Sequence, residues 1–378
     1  GETTVSGGTL TVNGTLGGTL LVGASGRLAG AGTVGETSVW STIVGAQGQT
    51  LTTGNLTLNA GANVEVSLGA PGNATGLFKV NGDLVLDGTL NVADAGGFGA
   101  GVYRIVDYTG SLTDNGLDVG SMPFGTSGTV QTAVAAQVNL VVSGVAGGIQ
   151  FWNGTTTAAD GTIHGGSGVW KTGPTNWTNA NGTTTAAWGG NFAIFQSNPG
   201  AVTVDGSAGA VSATGMQFIG QGWVVGGAPI TLAGNDGSTI IRVGDGTAGG
   251  ASHSATIAAE LTGNSSLVKT DLGTLILTGA NSYSGGTTIA NGTLQIGNGG
   301  ASGSIGGDVL NNATLAFNRS DSHSFGGAIS GNGTIRQIGS GKIELTGDSS
   351  AFAGATAVEN GILAVNGRLG GGVTVAAG

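Results

Sequence analysis

The stretch that most limits what this chain can fold into is Leu267–Gly297, LVKTDLGTLILTGANSYSGGTTIANGTLQIG. It reads as three short strands, LGTLILT, TTI and TLQI, separated by a GANSYSGG break and an Ala-Asn-Gly turn. Alternating apolar and small polar residues mark a half-buried strand, and Asn-Gly is the strongest short turn signal. Three strands this short cannot bury their own apolar faces. The unit therefore requires neighbours stacked on it.

The neighbours are present in the chain. Gly341–Asn366 repeats the pattern with one extra residue in the first turn. Leu275 and Leu277 correspond to Ile343 and Leu345, Tyr283 to Phe352, Asn291-Gly292 to Asn360-Gly361, and Leu294 and Ile296 to Leu363 and Val365. A half copy, Gly1–Asn13, overlays Gly285–Gly297. The leucine or isoleucine of successive Thr-Leu/Ile strands falls at 275, 294, 315 and 335, with separations of 19, 21 and 20. A coil of about twenty residues carrying about three strands is the repeat of a parallel β-solenoid. No useful length of chain has the helical period. The expected fold is all-β, a parallel β-helix of roughly 15–18 coils.

Composition agrees with many short strands joined by glycine turns. Glycine supplies 81 of 378 residues without a Gly-X-Y period, and only 8% of residues are charged against 39% hydrophobic. That balance excludes collagen and argues against disorder. The net charge of −10 comes from 20 acids and 10 scattered bases, so no basic stripe exists for a nucleic acid. There is no cysteine, so stability must come from cumulative packing. No apolar run is long enough to cross a membrane as a helix, and no signal peptide is recognisable, as expected for a segment cut from a longer polypeptide.

Three segments are expected along one continuous solenoid: 1–150, 151–265 and 266–378. Met122–Ala136 carries few strand signals and reads as a loop. Five of six tryptophans lie between residues 152 and 223, in a stretch that reads as β-structure with wider turns. Residues 1–25, shifted by 353, overlay residues 354–378 without a gap and are identical at 13 of 25 positions. The chain begins and ends at equivalent points of a cycle, as one module of a tandem array would.

At Gly273–Gly297, GTLILTGANSYSGGTTIANGTLQIG closely resembles the autotransporter-associated β-strand repeat of bacterial passenger domains. NLTLNAGANVEVSLGAP and GDLVLDGTLNVADAGGFGAGVYRIVDYTG are similar to passenger sequence as well. The resemblance implies a right-handed parallel β-helix, exported through its own C-terminal β-barrel translocator and displayed at the bacterial cell surface, outside the outer membrane. It implies an adhesin that attaches to a host cell-surface or extracellular-matrix component, protein or glycan. Self-association into aggregates and a glycan-cleaving β-helical enzyme are the alternatives.

Catalytic signatures are weak. Gly347-Asp348-Ser349-Ser350 is the nearest match to a serine-protease nucleophile turn, and it falls inside the repeat turn. His164, His253 and His323 are too separated for a triad or a zinc site. Gly30–Gly35 matches a dinucleotide fingerprint in a context of strands, without the helix that the fingerprint needs. Asp83, Asp87, Asp107, Asp114 and Asp118 could supply an acid–base pair, but most acids adjoin Gly or Asn, as turn residues do. No enzyme, metal or cofactor is expected. Trp152, Trp170, Trp177 and Trp188 have two readings: filling the inside of wider coils, or forming a binding patch that stacks on sugars or anchors a protein. Large aromatics are highly buried on average, which favours the interior; residues 151–195 are the first place to look for a patch.

Overall fold

A computed structural model describes residues 1–69, 76–144 and 148–375. Short parallel strands dominate, and three single-turn 3-10 segments are the helical elements among the described residues. The chain divides into two compact units, Gly1–Ala146 with Asp245–Ala248, and Gly147–Gly244 with Gly249–Gly378.

In the first unit, each coil contributes one strand to each of three sheets. Glu2–Val5, Thr19–Val22, Thr37–Val39, Leu56–Leu58, Leu84–Leu86 and Leu112–Asp114 stack in that order. A second sheet runs from Gly8–Thr11 through Gly26–Ala29, Thr42–Ala46, Asn63–Leu68 and Thr89–Asp94 to Asp118–Val119. Alternation decides which side chains enter: in Asn63–Leu68, Val64, Val66 and Leu68 are buried while Asn63, Glu65 and Ser67 face outward. The third sheet ends differently. Gln137–Gly144 pairs antiparallel with Gly101–Tyr108 on one side and with Thr126–Gln131 on the other. Thr126–Gln131 falls where the sequence reads as a loop. It is an edge strand of mostly small polar residues, TSGTVQ, whose half-exposed positions leave no apolar alternation to read.

In the second unit, one sheet of ten strands includes Ser254–Ile257, Thr274–Leu277, Thr293–Ile296, Thr314–Phe317, Thr334–Gln337, Ala355–Val358 and Gly372–Val375. The expected period is the register itself: Leu275 pairs with Leu294, Leu294 with Leu315, and Leu315 with Ile335. All four are fully buried. Stacking identical apolar residues coil upon coil builds one continuous interior, and each added coil buries both its own and its neighbour's inward side chains.

The repeat motif has structural work at each position. Asn281 accepts a hydrogen bond from the Leu261 N–H at 2.9 Å and donates to the Ser304 carbonyl at 2.9 Å, tying three coils together. The Tyr283 ring is buried and its hydroxyl bonds the Thr287 hydroxyl at 2.7 Å. Gly292, with φ +66°, turns in a space where a Cβ would lie 2.5 Å from the carbonyl oxygens of Asp271 and Gly273.

Candidate functional site

Trp152 ends the strand Ile149–Trp152, Trp170 ends Gly168–Trp170 and Trp177 begins Trp177–Thr178. Trp177–Thr178 runs antiparallel both to Ile149–Trp152 and to Thr185–Ala186, so this end of the sheet turns back on itself. The turned-back strands surround an aromatic plug. Trp177 lies 5.1 Å from Trp152, 5.3 Å from Trp170 and 4.3 Å from Trp188 between ring centroids, and Phe195 packs 5.8 Å away. The edge-on arrangements at Trp152–Trp177 and Trp170–Trp188 are those that aromatic quadrupoles favour.

All four tryptophans are buried. The indole N–H of Trp152 donates to the Gly166 carbonyl and that of Trp188 to the Ser212 carbonyl, both at 2.8 Å. Their faces meet each other and the interior, so no ring is available to stack on a sugar or enter a partner's pocket. The hydrophobic effect explains the placement: four indoles exposed together would leave several hundred Å² of apolar surface in water, on the order of 150–250 Å² each.

The catalytic candidates are occupied by structural roles. Ser349 is buried, and its hydroxyl accepts the Ile329 N–H at 2.9 Å. Hydrogen bonding from the Ser350 side chain, and then from the Ser350 N–H, holds the Asp348 carboxylate below the usual carboxylate range, with Arg368 adding to the effect. Asp83 accepts the Ser111 N–H, Asp87 the Gly88 N–H, and Asp114 both the Gly116 N–H and the Thr132 hydroxyl, as turn carboxylates do. Asp107 pairs with Arg104. His164 sits 2.9 Å from Asp160, while His253 accepts the Gly220 N–H. Among the described residues no three His, Cys, Asp or Glu side chains are grouped to hold a metal.

Exposed features lie elsewhere. On the outward face of the first unit's second sheet, an open depression of about 420 Å³ is lined by Val44, Glu65, Ser67, Asn91, Ala93 and Ser121, among others. Arg27 holds both oxygens of Glu65, at 3.0 and 2.6 Å, and pulls its carboxyl below the usual range. The depression is therefore close to neutral. Two large apolar side chains of this unit face water, Trp40, more than half exposed, and Phe124, fully exposed. Sequence reading did not single them out. Strand parity marks Trp40: Val39 ends Thr37–Val39 pointing inward, which puts the next residue outside.

A sequence model of the Passenger-associated-transport-repeat family matches residues 267–296 and 335–365. The chain is 40% identical over 332 residues to a protein named Adhesin BmaC autotransporter, from Brucella suis biovar 1 (strain 1330). The alignment covers 79% of this chain and 10% of that protein, so the chain spans about a tenth of its relative's length. No solved structure matches. The first matched repeat contains the stacked pair Leu275–Leu294 and the coil-tying Asn281, and the second contains the buried Ile335 and Ile343. The chain thus carries two passenger-associated transport repeats and is similar, over most of its length, to a part of a protein named as an autotransporter.

Proposed function

We propose that this chain is a segment of an adhesin, standing at the bacterial cell surface and contributing to attachment to a host cell-surface or extracellular-matrix component, protein or glycan. The observation that carries this reading is the 40% identity over 332 residues to a protein named as an adhesin. Its own C-terminal β-barrel translocator is the partner that would export it. Catalysis is not assigned, because the serine, histidine and carboxylate candidates are engaged in turns and ladders.

The contact surfaces proposed are the near-neutral depression on the outward face of the first unit's second sheet, which offers hydrogen-bonding groups, and the exposed Trp40 and Phe124, which offer apolar anchors. Beads coated with the purified chain are expected to bind host cells or immobilised matrix proteins above albumin-coated beads. Binding no stronger than albumin would sink the reading. A second reading, self-association, is favoured by one observation. Ser254, Thr274, Thr293, Thr314 and Thr334 form an in-register outward row, partly exposed and uncharged, on one sheet of the second unit. Sedimentation of expressing cells, compared with bead binding, separates the two.

A further inference from the structure

Strand register lays a grid of side chains on the outward face of the first unit's second sheet. Val44, Glu65 and Asn91 are register partners in one file, and Ala46, Ser67 and Ala93 are partners in the next. Neighbouring strands lie about 4.8 Å apart, and the two files, two residues apart along each strand, about 6.6 Å. The second file carries only short side chains. The sheet therefore dips there, beside the longer Glu65 and Asn91, and this dip is the depression of about 420 Å³.

The polar groups at the dip are held in place and still have bonding capacity to offer. Arg27, two coils before Glu65, holds both carboxylate oxygens, at 3.0 and 2.6 Å. An ion pair this exposed adds little to stability, but it fixes the carboxylate before any ligand arrives. Each oxygen, with one guanidinium bond, keeps a lone pair for a hydroxyl. Asn91 accepts the Ser121 N–H and hydroxyl at 2.9 and 3.0 Å through Oδ1. Its Nδ2 reaches only Asn63 Oδ1, at 3.5 Å, beyond ordinary hydrogen-bond length. Ser67 adds a hydroxyl. Donors and acceptors thus alternate over a patch of no net charge, with the apolar Val44, Ala46 and Ala93 between them.

That combination selects among ligands. A charged polymer needs unneutralised opposite charge, whereas Arg27 and Glu65 cancel, and a net charge of −10 repels polyanions. A protein interface takes roughly 20–30 residues a side, and the depression covers two files on three strands, a fraction of that. Its volume falls instead in the range of about 300–1,000 Å³ typical of small-ligand sites. A sugar ring carries hydroxyls that both donate and accept, and a C–H face that packs on aliphatic side chains. We infer that the depression binds a short neutral saccharide. Glu65 accepts from its hydroxyls, Asn91 Nδ2 and Ser67 donate to them, and Val44 and Ala93 meet its C–H face. This inference rests on the depression being a contact surface of the proposed adhesin.

The test is saturation-transfer NMR of the purified chain with glucose, galactose, N-acetylglucosamine and lactose, and with a sulfated disaccharide for comparison. At least one neutral sugar is expected to give a signal, stronger than that of the sulfated one. Ser67→Phe, whose ring has room between Ala46 and Ala93, should abolish the signal, while Leu310→Phe, at an exposed position of the second unit, should leave it unchanged. If Ser67→Phe lowers the unfolding midpoint, Glu65→Gln decides: loss of a charged acceptor should weaken binding about tenfold. No signal from any neutral sugar, a stronger signal from the sulfated one, or an unchanged signal in both depression variants would overturn the inference. Bead binding keeps the two readings apart. Full binding to host cells whose surface sugars have been oxidised with periodate would overturn the saccharide site and leave adhesion standing. A sugar signal that Ser67→Phe removes, with no binding to untreated cells, would support the saccharide site and sink adhesion.

Discussion

At the scale of single residues, the tryptophans separate packing from binding. Trp177 touches three other indoles and is fully buried, so Trp177→Ala should lower stability by about 3–5 kcal/mol, seen as a lower denaturant midpoint, without altering adhesion per folded molecule. Trp40→Ala should do the reverse, reducing bead binding while leaving the midpoint within about 0.5 kcal/mol. Deleting residues 151–195 would remove the aromatic plug itself and report on folding. Lys269 is a second residue with a readable role. Its amine is inside the solenoid and donates to the carbonyls of Thr270, Asp271 and Asn291 at 2.9, 2.9 and 3.1 Å, three acceptors for the three protons of an ammonium. Burial lowers its pKa to about 7, against the opposing pull of Asp271. The unfolded chain then holds the proton up to about 10.5 while the folded chain releases it near 7, so stability rises with pH between those limits. The slope is at most about 1.4 kcal/mol per pH unit. Denaturation from pH 6 to 10 should show this rise, and Lys269→Met should flatten it. The lysine was visible in the sequence, but its inward direction was not, because a charged residue at an inward position contradicts the alternation that identifies the strand.

At the scale of elements, the coil was legible because its signals repeat. The Thr-Leu/Ile strands and the Asn-Gly turns recur every twenty or so residues, and the structure stacks the same residues in register. Thr126–Gln131 and the two-residue strands Trp177–Thr178 and Thr185–Ala186 were not legible in the same way. Each occurs once, pairs antiparallel, and owes its conformation to a neighbour. Turn chemistry gives a sharp test at this scale. Gly292→Ala places a Cβ 2.5 Å from two carbonyl oxygens at φ +66° and should cost on the order of 1–3 kcal/mol. Gly300→Ala, at a position with open space around it, should leave the midpoint unchanged. Equal effects would mean that the Asn-Gly turn does not set the coil.

At the scale of the molecule, the two units have separate apolar interiors, one containing Leu56, Leu84 and Leu90, the other Leu275, Leu294 and Leu315. Among the described residues, no sheet contains strands from both units. Leu84→Ala should therefore accelerate hydrogen exchange through the first unit by a cavity cost of about 2–5 kcal/mol and leave exchange around Leu294 unchanged. Uniform acceleration would show a single cooperative block. The proposed contact surface was less legible than the fold, since it depends on which side chains face water; Trp152, Trp170, Trp177 and Trp188 are buried. The in-register ladder has one more consequence, for mechanics. Backbone hydrogen bonds between coils, such as Val12 N–H to the Ala29 carbonyl at 2.9 Å, point along the stack. A load pulling coil from coil therefore opens them a few at a time, as a zipper opens, where strands sheared lengthwise would resist together. Each coil released pays out about twenty residues, at most roughly 70 Å of slack. Within each unit, tension along the stack would be met by yielding one coil at a time, with the remaining coils still folded.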